Sequence, residues 1–275
     1  MLNTLQVAFL QGLLRTRPEK KQATETASRL AEQYGVGMKR GRRVVYSPSD
    51  FLGAERLLLA NQMPLAAQAK VSRADRAIYP GLSEKIGSLR PHENSVALRS
   101  ASGAVHLGEA ALVTEPGSYL VTTVEQAAQS DADRIMVVEN LETFRWLNRQ
   151  GWIDYEGGKT LALFRGDTTT SPRDCNRLLS MTTLPVWAFF DFDPAGIGMA
   201  MGIERLERLV LPDAAWLAPM ARDKKRSDLF HDSLNQWQAM IAQCRHPSVE
   251  KAWDLLNGLG YGLPQEWMEA AVGML

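Results

Sequence analysis

The chain has little of what usually assigns a protein quickly. Only two cysteines, Cys175 and Cys244, occur in 275 residues. They are far apart and neither lies in a C-x-x-C or Cys/His cluster, so reduced structural thiols are expected rather than a disulfide framework or a zinc site. The histidines, His92, His106, His231 and His246, are scattered without metal-ligand spacing, which points to ordinary surface or core positions. No run of eighteen apolar residues exists, so no membrane span is expected. The first ten residues lack a basic n-region and a small-residue cleavage site, so no secretory signal is expected and cytoplasm is the default location. Net charge is zero, and no overall excess of one sign names a partner.

What is present is an uneven distribution. Residues 1–100 carry 16 Lys and Arg against 8 Asp and Glu, whereas residues 101–275 carry 15 against 23. A basic part joined to an acidic part suits a polyanion-binding module beside a metal-using one, although solvated helix faces give the same count. Apolar spacing predicts helices over 2–14, 19–34 and 51–61, with a basic turn, Lys39-Arg40-Gly41-Arg42-Arg43, leading into a short strand at 44–46. That order suits a winged-helix-like unit, and Lys39, Arg40, Arg42 and Arg43 are the candidate phosphate contacts. A mixed Gly/Pro/basic stretch over 73–92 suits a domain boundary, and short strands at 95–99 and 105–107 suit a small hairpin or wing.

From Arg134 the pattern changes to strands alternating with helices. Apolar runs at 135–138, 161–164 and 186–190 are followed by helical stretches at 141–150, 172–181 and 197–211, and Trp216-Leu217-Ala218 suits a fourth strand. Such alternation predicts a parallel sheet whose chemistry sits at the carboxyl ends of its strands. The tail is helical in pattern over 228–244, 249–257 and 264–272, with Trp237, Trp253 and Trp267 read as packing and Lys224-Lys225-Arg226 as a solvated helix start or a second backbone contact.

Carboxylates stand where such a site belongs. The run from Val186 to Phe190 delivers Asp191 and Asp193 to a Pro-Ala-Gly turn, and in an extended strand residues i and i+2 face the same side. Glu139 ends the run at 135–138. With those strands adjacent, three acids meet in one cleft, and a bound Mg²⁺ or Mn²⁺ relieves their repulsion. Glu139 then serves as metal ligand or general acid/base, next to a phosphodiester on which the metal stabilises charge. A lone D-x-D has a bland alternative in a capped helix start or a surface turn.

Val137-Val138-Glu139-Asn140-Leu141-Glu142-Thr143-Phe144, then Phe164-Arg165-Gly166-Asp167, then Phe190-Asp191-Phe192-Asp193-Pro194-Ala195-Gly196, in that order, resemble a Toprim domain. They are most similar to the Toprim of topoisomerase VI A subunits and of JetD, the nuclease subunit of Wadjet plasmid-defence systems, also called MksG. The resemblance covers roughly residues 132–220. It implies that Glu139 is the Toprim glutamate, that Asp191 and Asp193 are the metal pair, and that Gly166 is the glycine after the second strand. It also implies double-stranded DNA as substrate, and as partners an SMC-like ATPase, its kleisin and accessory subunits, with a homodimer common among relatives. Tyr34, Tyr46 and Tyr79 lie upstream, but none has the Arg-Glu-x-x-Tyr setting of a covalent nucleophile, so the resemblance implies hydrolysis by metal and water.

The expected architecture is thus α/β. A basic, winged-helix-like DNA-binding domain spans 1–92, connecting strands 93–131, a Toprim-type parallel sheet flanked by helices 132–220, and a helical tail 221–275. The leading expectation is a divalent-metal-dependent DNA endonuclease acting as the effector of an SMC-like defence complex. A non-catalytic DNA-binding or assembly subunit with a scaffold Toprim is the second. A D-x-D phosphohydrolase, with Asp191 as phosphoryl acceptor, is the third, although Ala195 stands where that motif usually has Thr or Val.

Overall fold

The computed structural model describes residues 2–66 and 93–271. Contacts divide the chain into two compact units, 1–91 and 92–275. Tyr79, His92 and the boundary stretch at 73–92 lie outside the described residues.

The first unit contains α1 (Thr4–Thr16), β1 (Lys20–Gln22), α2 (Glu25–Tyr34), β2 (Met38–Arg40), β3 (Arg43–Val45) and α3 (Pro48–Ala60). Asn3 caps α1 in a reciprocal box with Gln6, Thr24 caps α2, and Pro48 opens α3, so each helix starts where its polar residues satisfy the first N–H groups. Lys20 to Gln22, expected to be helical, instead form a strand: exposed polar side chains alternate there and Thr24 takes over as helix cap. The strands make an antiparallel sheet in the order β1-β3-β2. Leu10, Leu13, Leu30, Val44 and Leu58 fill a core of their own.

The second unit is built on a six-stranded sheet. Its strands are β4 (Ser95–Ser102), β7 (Leu120–Thr123), β8 (Arg134–Val138), β9 (Thr160–Phe164), β10 (Val186–Phe189) and β11 (Leu206–Leu209), while β5 (His106–Leu107) and β6 (Ala110–Ala111) form a separate hairpin. The helices, in chain order, are α4 (Val124–Ala127), α5 (Leu141–Arg145), α6 (Pro172–Met181), α7 (Pro194–Met201), α8 (Ala214–Lys224), α9 (Ser227–Ile241) and α10 (Pro247–Leu259), with a closing 3-10 segment, Gln265–Ala271.

Sheet order is β11-β10-β8-β9-β4-β7. The four strands from β8 to β11 are mutually parallel, and the runs of β8, β9 and β10 are unbroken and apolar as strands buried on both faces require. The strands expected only to connect the two domains extend this sheet and make it mixed, because β4 pairs antiparallel with both β9 and β7. Residues 95–99 therefore belong to a central strand, buried from Val96 to Arg99, and not to a small wing. Trp216 to Ala218 is also corrected from strand to helix. Asp213 caps α8 there, and the fourth parallel strand is β11, cut from the stretch read as one long helix over 197–211. Gly202, following Met201, closes α7 early.

The tail packs on the motif helix. A Cβ on Gly198 would lie 2.1 Å from the Trp237 ring, so α7 and α9 meet in a contact that only glycine allows. Trp237 and Trp253 pack against the main core, whereas Trp267 is 38% exposed beneath the Arg226 guanidinium. Among the described residues no helix is long and apolar enough to cross a membrane.

Candidate active site

Register places the acids. Val138 is level with Phe189, and the Glu139 N–H continues the ladder to the Phe189 carbonyl at 3.1 Å, so Glu139 stands at the carboxyl end of β8 next to the turn that follows β10. The Asp191 N–H donates to Glu139 Oε2 at 3.3 Å, and Asp191 Oδ1 accepts the Gln265 N–H at 2.8 Å.

Asp193 is held differently. It is the N-cap of α7, and its Oδ1 accepts the Gly196 N–H at 2.7 Å. The two aspartates therefore do not share a strand face, as the i, i+2 spacing suggested. β10 ends at Phe189, and Phe192 instead makes a two-bond bridge to Leu263. The turn needs its glycine, since a Cβ on Gly196 would sit 2.1 Å from the Asp191 carbonyl oxygen.

Burial and mutual repulsion mark the cluster. Burial, then the charges of Glu139, Asp193 and Glu266, push the Asp191 carboxyl up to about 7 against the hydrogen bond from Gln265. Glu139 is raised mainly by burial, which outweighs the Asp191 N–H and the Arg165 charge, and Asp193 is raised by burial against the N–H groups of Gly196 and Ala195. Like charges facing one another out of water favour a bound cation, and an all-oxygen donor set suits Mg²⁺ or Mn²⁺. In chemistry the residues fit such an ion. In position, Glu139 and Asp191 are in direct contact while Asp193 caps its helix, and among the described residues no three His, Cys, Asp or Glu side chains are grouped to hold a metal.

Beside Glu139 opens a cleft of about 500 Å³, walled by Asn140, Arg165, Gly166, Thr168 and Asp191. Gly166 has φ 104°, and a Cβ there would strike the Thr170 carbonyl at 2.6 Å, so this loop too depends on glycine. Asp167 folds the loop by accepting the Thr169 and Thr170 N–H groups at 2.7 and 2.8 Å.

The pattern along the chain did not reveal Gln265 and Glu266. Gln265 is fully buried: its N–H goes to Asp191, its Nε2 to the Phe189 carbonyl at 2.6 Å, and its Oε1 accepts the Asn140 N–H at 2.9 Å. Asn140 Nδ2 donates to Glu266 Oε1 at 2.6 Å. Along the sequence they are one polar pair among many in the tail, and nothing sets them apart.

The remaining candidates separate cleanly. Lys39, Arg40, Arg42 and Arg43 are all exposed on the β2–β3 hairpin, where Lys39 pairs with Glu32 at 3.2 Å and the three arginines make no ion pair among the described residues. Lys224 and Arg226 are paired locally with Asp223 and Asp228, and Lys225 is the C-cap of α8. His106 meets Asp131 at 3.2 Å and His246 bonds the Leu206 carbonyl at 2.9 Å, so neither faces the acids as a ligand. Tyr46 is buried, and burial followed by the Asp50 charge pushes its hydroxyl up to about 12, which suits no nucleophile. Cys175 is a buried thiol pushed up to about 12 by burial, and Cys244 is also unbridged.

Fold and site together define an α/β protein with a mixed sheet and a half-buried carboxylate cluster at the ends of two adjacent parallel strands. Residues 93–272 match the family described as a domain of unknown function, DUF7281, and the chain belongs to that family. No curated protein matches it.

Proposed function

We propose that the chain is a divalent-metal-dependent DNA endonuclease of Toprim type, with Glu139, Asp191 and Asp193 as its acidic residues. The observation that carries this reading is the direct contact between Asp191 and Glu139 at the ends of adjacent parallel strands, with both carboxyls raised. A bound Mg²⁺ or Mn²⁺ would neutralise charge on the phosphodiester and lower the barrier to attack by water. Glu139 and Asp191 would hold it, with Asp193 beside them. Glu139 Oε2 accepts the Asp191 N–H and Oε1 lies 3.5 Å from Arg165 Nη2 beside the cleft, so Glu139 would either hold the ion or take a proton from the attacking water.

The exposed arginines of the β2–β3 hairpin suit a polyanion, and the helix-strand order of the first unit suits a winged-helix-like DNA grip. The resemblance to JetD and MksG extends the proposal to plasmid or foreign DNA as target and to an SMC-like ATPase complex as the partner that selects it. A second reading, a scaffold Toprim that binds DNA or partners without cutting, draws support from Asp193, whose oxygen is taken by the helix cap.

Plasmid incubated with Mn²⁺ or Mg²⁺ separates the two. The endonuclease reading expects nicking or linearisation by wild type and a loss on the order of a thousandfold in Asp191→Ala and Glu139→Ala, whose folds stay intact. Equal cutting by all three proteins refutes the site, and no cutting at any DNA topology favours the scaffold.

A further inference from the structure

Arg165 is the first residue beyond β9, and its backbone N–H donates to the Val138 carbonyl at 2.9 Å, which keeps it level with the end of β8. Because β10, β8 and β9 are consecutive in the sheet, Asp191, Glu139 and Arg165 form a row of two anions and one cation. The guanidinium touches Glu139 through one nitrogen only, Nη2 to Oε1 at 3.5 Å. A charge-assisted fork closes at about 2.7–2.9 Å with two parallel bonds. Arg165 Nε, meanwhile, is buried and has no hydrogen-bond partner among the described residues, although a third of the side chain remains exposed at the cleft wall.

An arginine present only to neutralise Glu139 would close on it. This one keeps its Nε–H unpaired and a third of its side chain open beside an acidic cluster, on a loop fixed by Gly166 and Asp167. A donor left unpaired in a buried place is costly, and a tetrahedral anion at the cleft would satisfy it. We propose that Arg165 grips a non-bridging phosphate oxygen of the substrate and holds the phosphodiester against Glu139 and Asp191. The proposal rests on the nuclease reading of this site and deepens it by naming the residue that holds the phosphate.

The test uses the full chain as wild type, Arg165→Ala and Arg165→Lys. The Arg165 Nε–H resonance, assigned by its loss in Arg165→Lys, is followed while the dinucleotide d(TpT) is added. Mn²⁺ affinity is measured by electron paramagnetic resonance, and single-turnover plasmid cutting is timed. Expected are a d(TpT)-dependent shift, a cutting rate lower by about 10²–10³ in Arg165→Ala, a smaller loss in Arg165→Lys, and Mn²⁺ affinity equal to or above wild type in both. Should wild type cut nothing while d(TpT) still moves the resonance and Mn²⁺ still binds, the phosphate grip stands and the hydrolytic reading falls. A resonance that d(TpT) leaves unmoved overturns the grip, as does wild-type cutting by Arg165→Ala. Weaker Mn²⁺ binding in Arg165→Ala with an unmoved resonance reduces Arg165 to a partner of Glu139.

Discussion

The two ends of the main sheet treat the same side chain in opposite ways. Asp131 precedes β8 at the amino ends of the parallel strands. It is exposed, bonded to Lys159 Nζ at 2.7 Å and to the His106 N–H at 2.7 Å, and these hold its carboxyl down to about 2. Asp191, at the carboxyl ends, is half-buried among acids, and loss of water followed by their charge pushes it up to about 7. One end satisfies its carboxylate within the chain, and the other leaves a charge that the chain does not neutralise. Local partners account for the first end, and the second is the end on which the proposed metal site is placed.

Glycines give the strongest test of that contrast. At Gly196 an added Cβ meets the Asp191 backbone at 2.1 Å, while at Gly158, at the amino end of β9, it meets the tip of the Arg134 side chain at 2.8 Å. Backbone cannot yield and a side-chain tip can. Gly196→Ala is expected to cost roughly 3 kcal/mol or more and Gly158→Ala below about 1 kcal/mol in thermal unfolding. Similar losses for both would mean that the turn after β10 is no more constrained than an ordinary loop.

A smaller effect distinguishes the carboxylates by pH. An unfolded aspartate titrates near 3.9, and Asp191 in the folded chain near 7. The folded state therefore binds the extra proton, and ionising Asp191 lowers stability as pH rises between those values. In chelator, wild type should lose Tm from about pH 4 to pH 7 relative to Asp191→Asn, which should be higher melting at pH 8 by a few degrees. Adding Mn²⁺ should reverse the order. A wild type more stable than Asp191→Asn at pH 8 in chelator would remove the repulsion from the site.

The smallest change is expected at the other end. Removing the Lys159 cation by Lys159→Ala should raise the Asp131 carboxyl toward its ordinary value, visible by NMR titration, with little change in Tm at pH 7 because the pair is exposed. The stability that Asp131 contributes is present above pH 4 and disappears as pH falls toward 2. An unmoved Asp131 titration would transfer the effect to the His106 N–H alone.

Much of this was legible along the chain because β8 to β10 are buried on both faces. Unbroken runs such as Ile135 to Val138 announce parallel strands, and the acids that follow them mark the candidate site. β4 was misjudged because its buried Arg99 and its serines dilute the apolar signal of a central strand. β11 was missed because Glu207 and Arg208 interrupt it, the one bonded to Trp187 Nε1 at 2.7 Å and the other lying over the same ring. Gln265 was illegible for a different reason. It acts on residues 74 and 76 positions upstream, and no local periodicity encodes a partner so distant.

That distance has a consequence for how the molecule is made. A chain that emerges from the ribosome amino end first exposes Glu139 and Asp191 well before Gln265 exists to tie Asp191, Asn140 and β10 together. The acidic pocket is therefore finished late in synthesis, by a segment that also bridges Leu263 to Phe192. A nascent or truncated chain lacking that segment carries the acids without the arrangement that poises them.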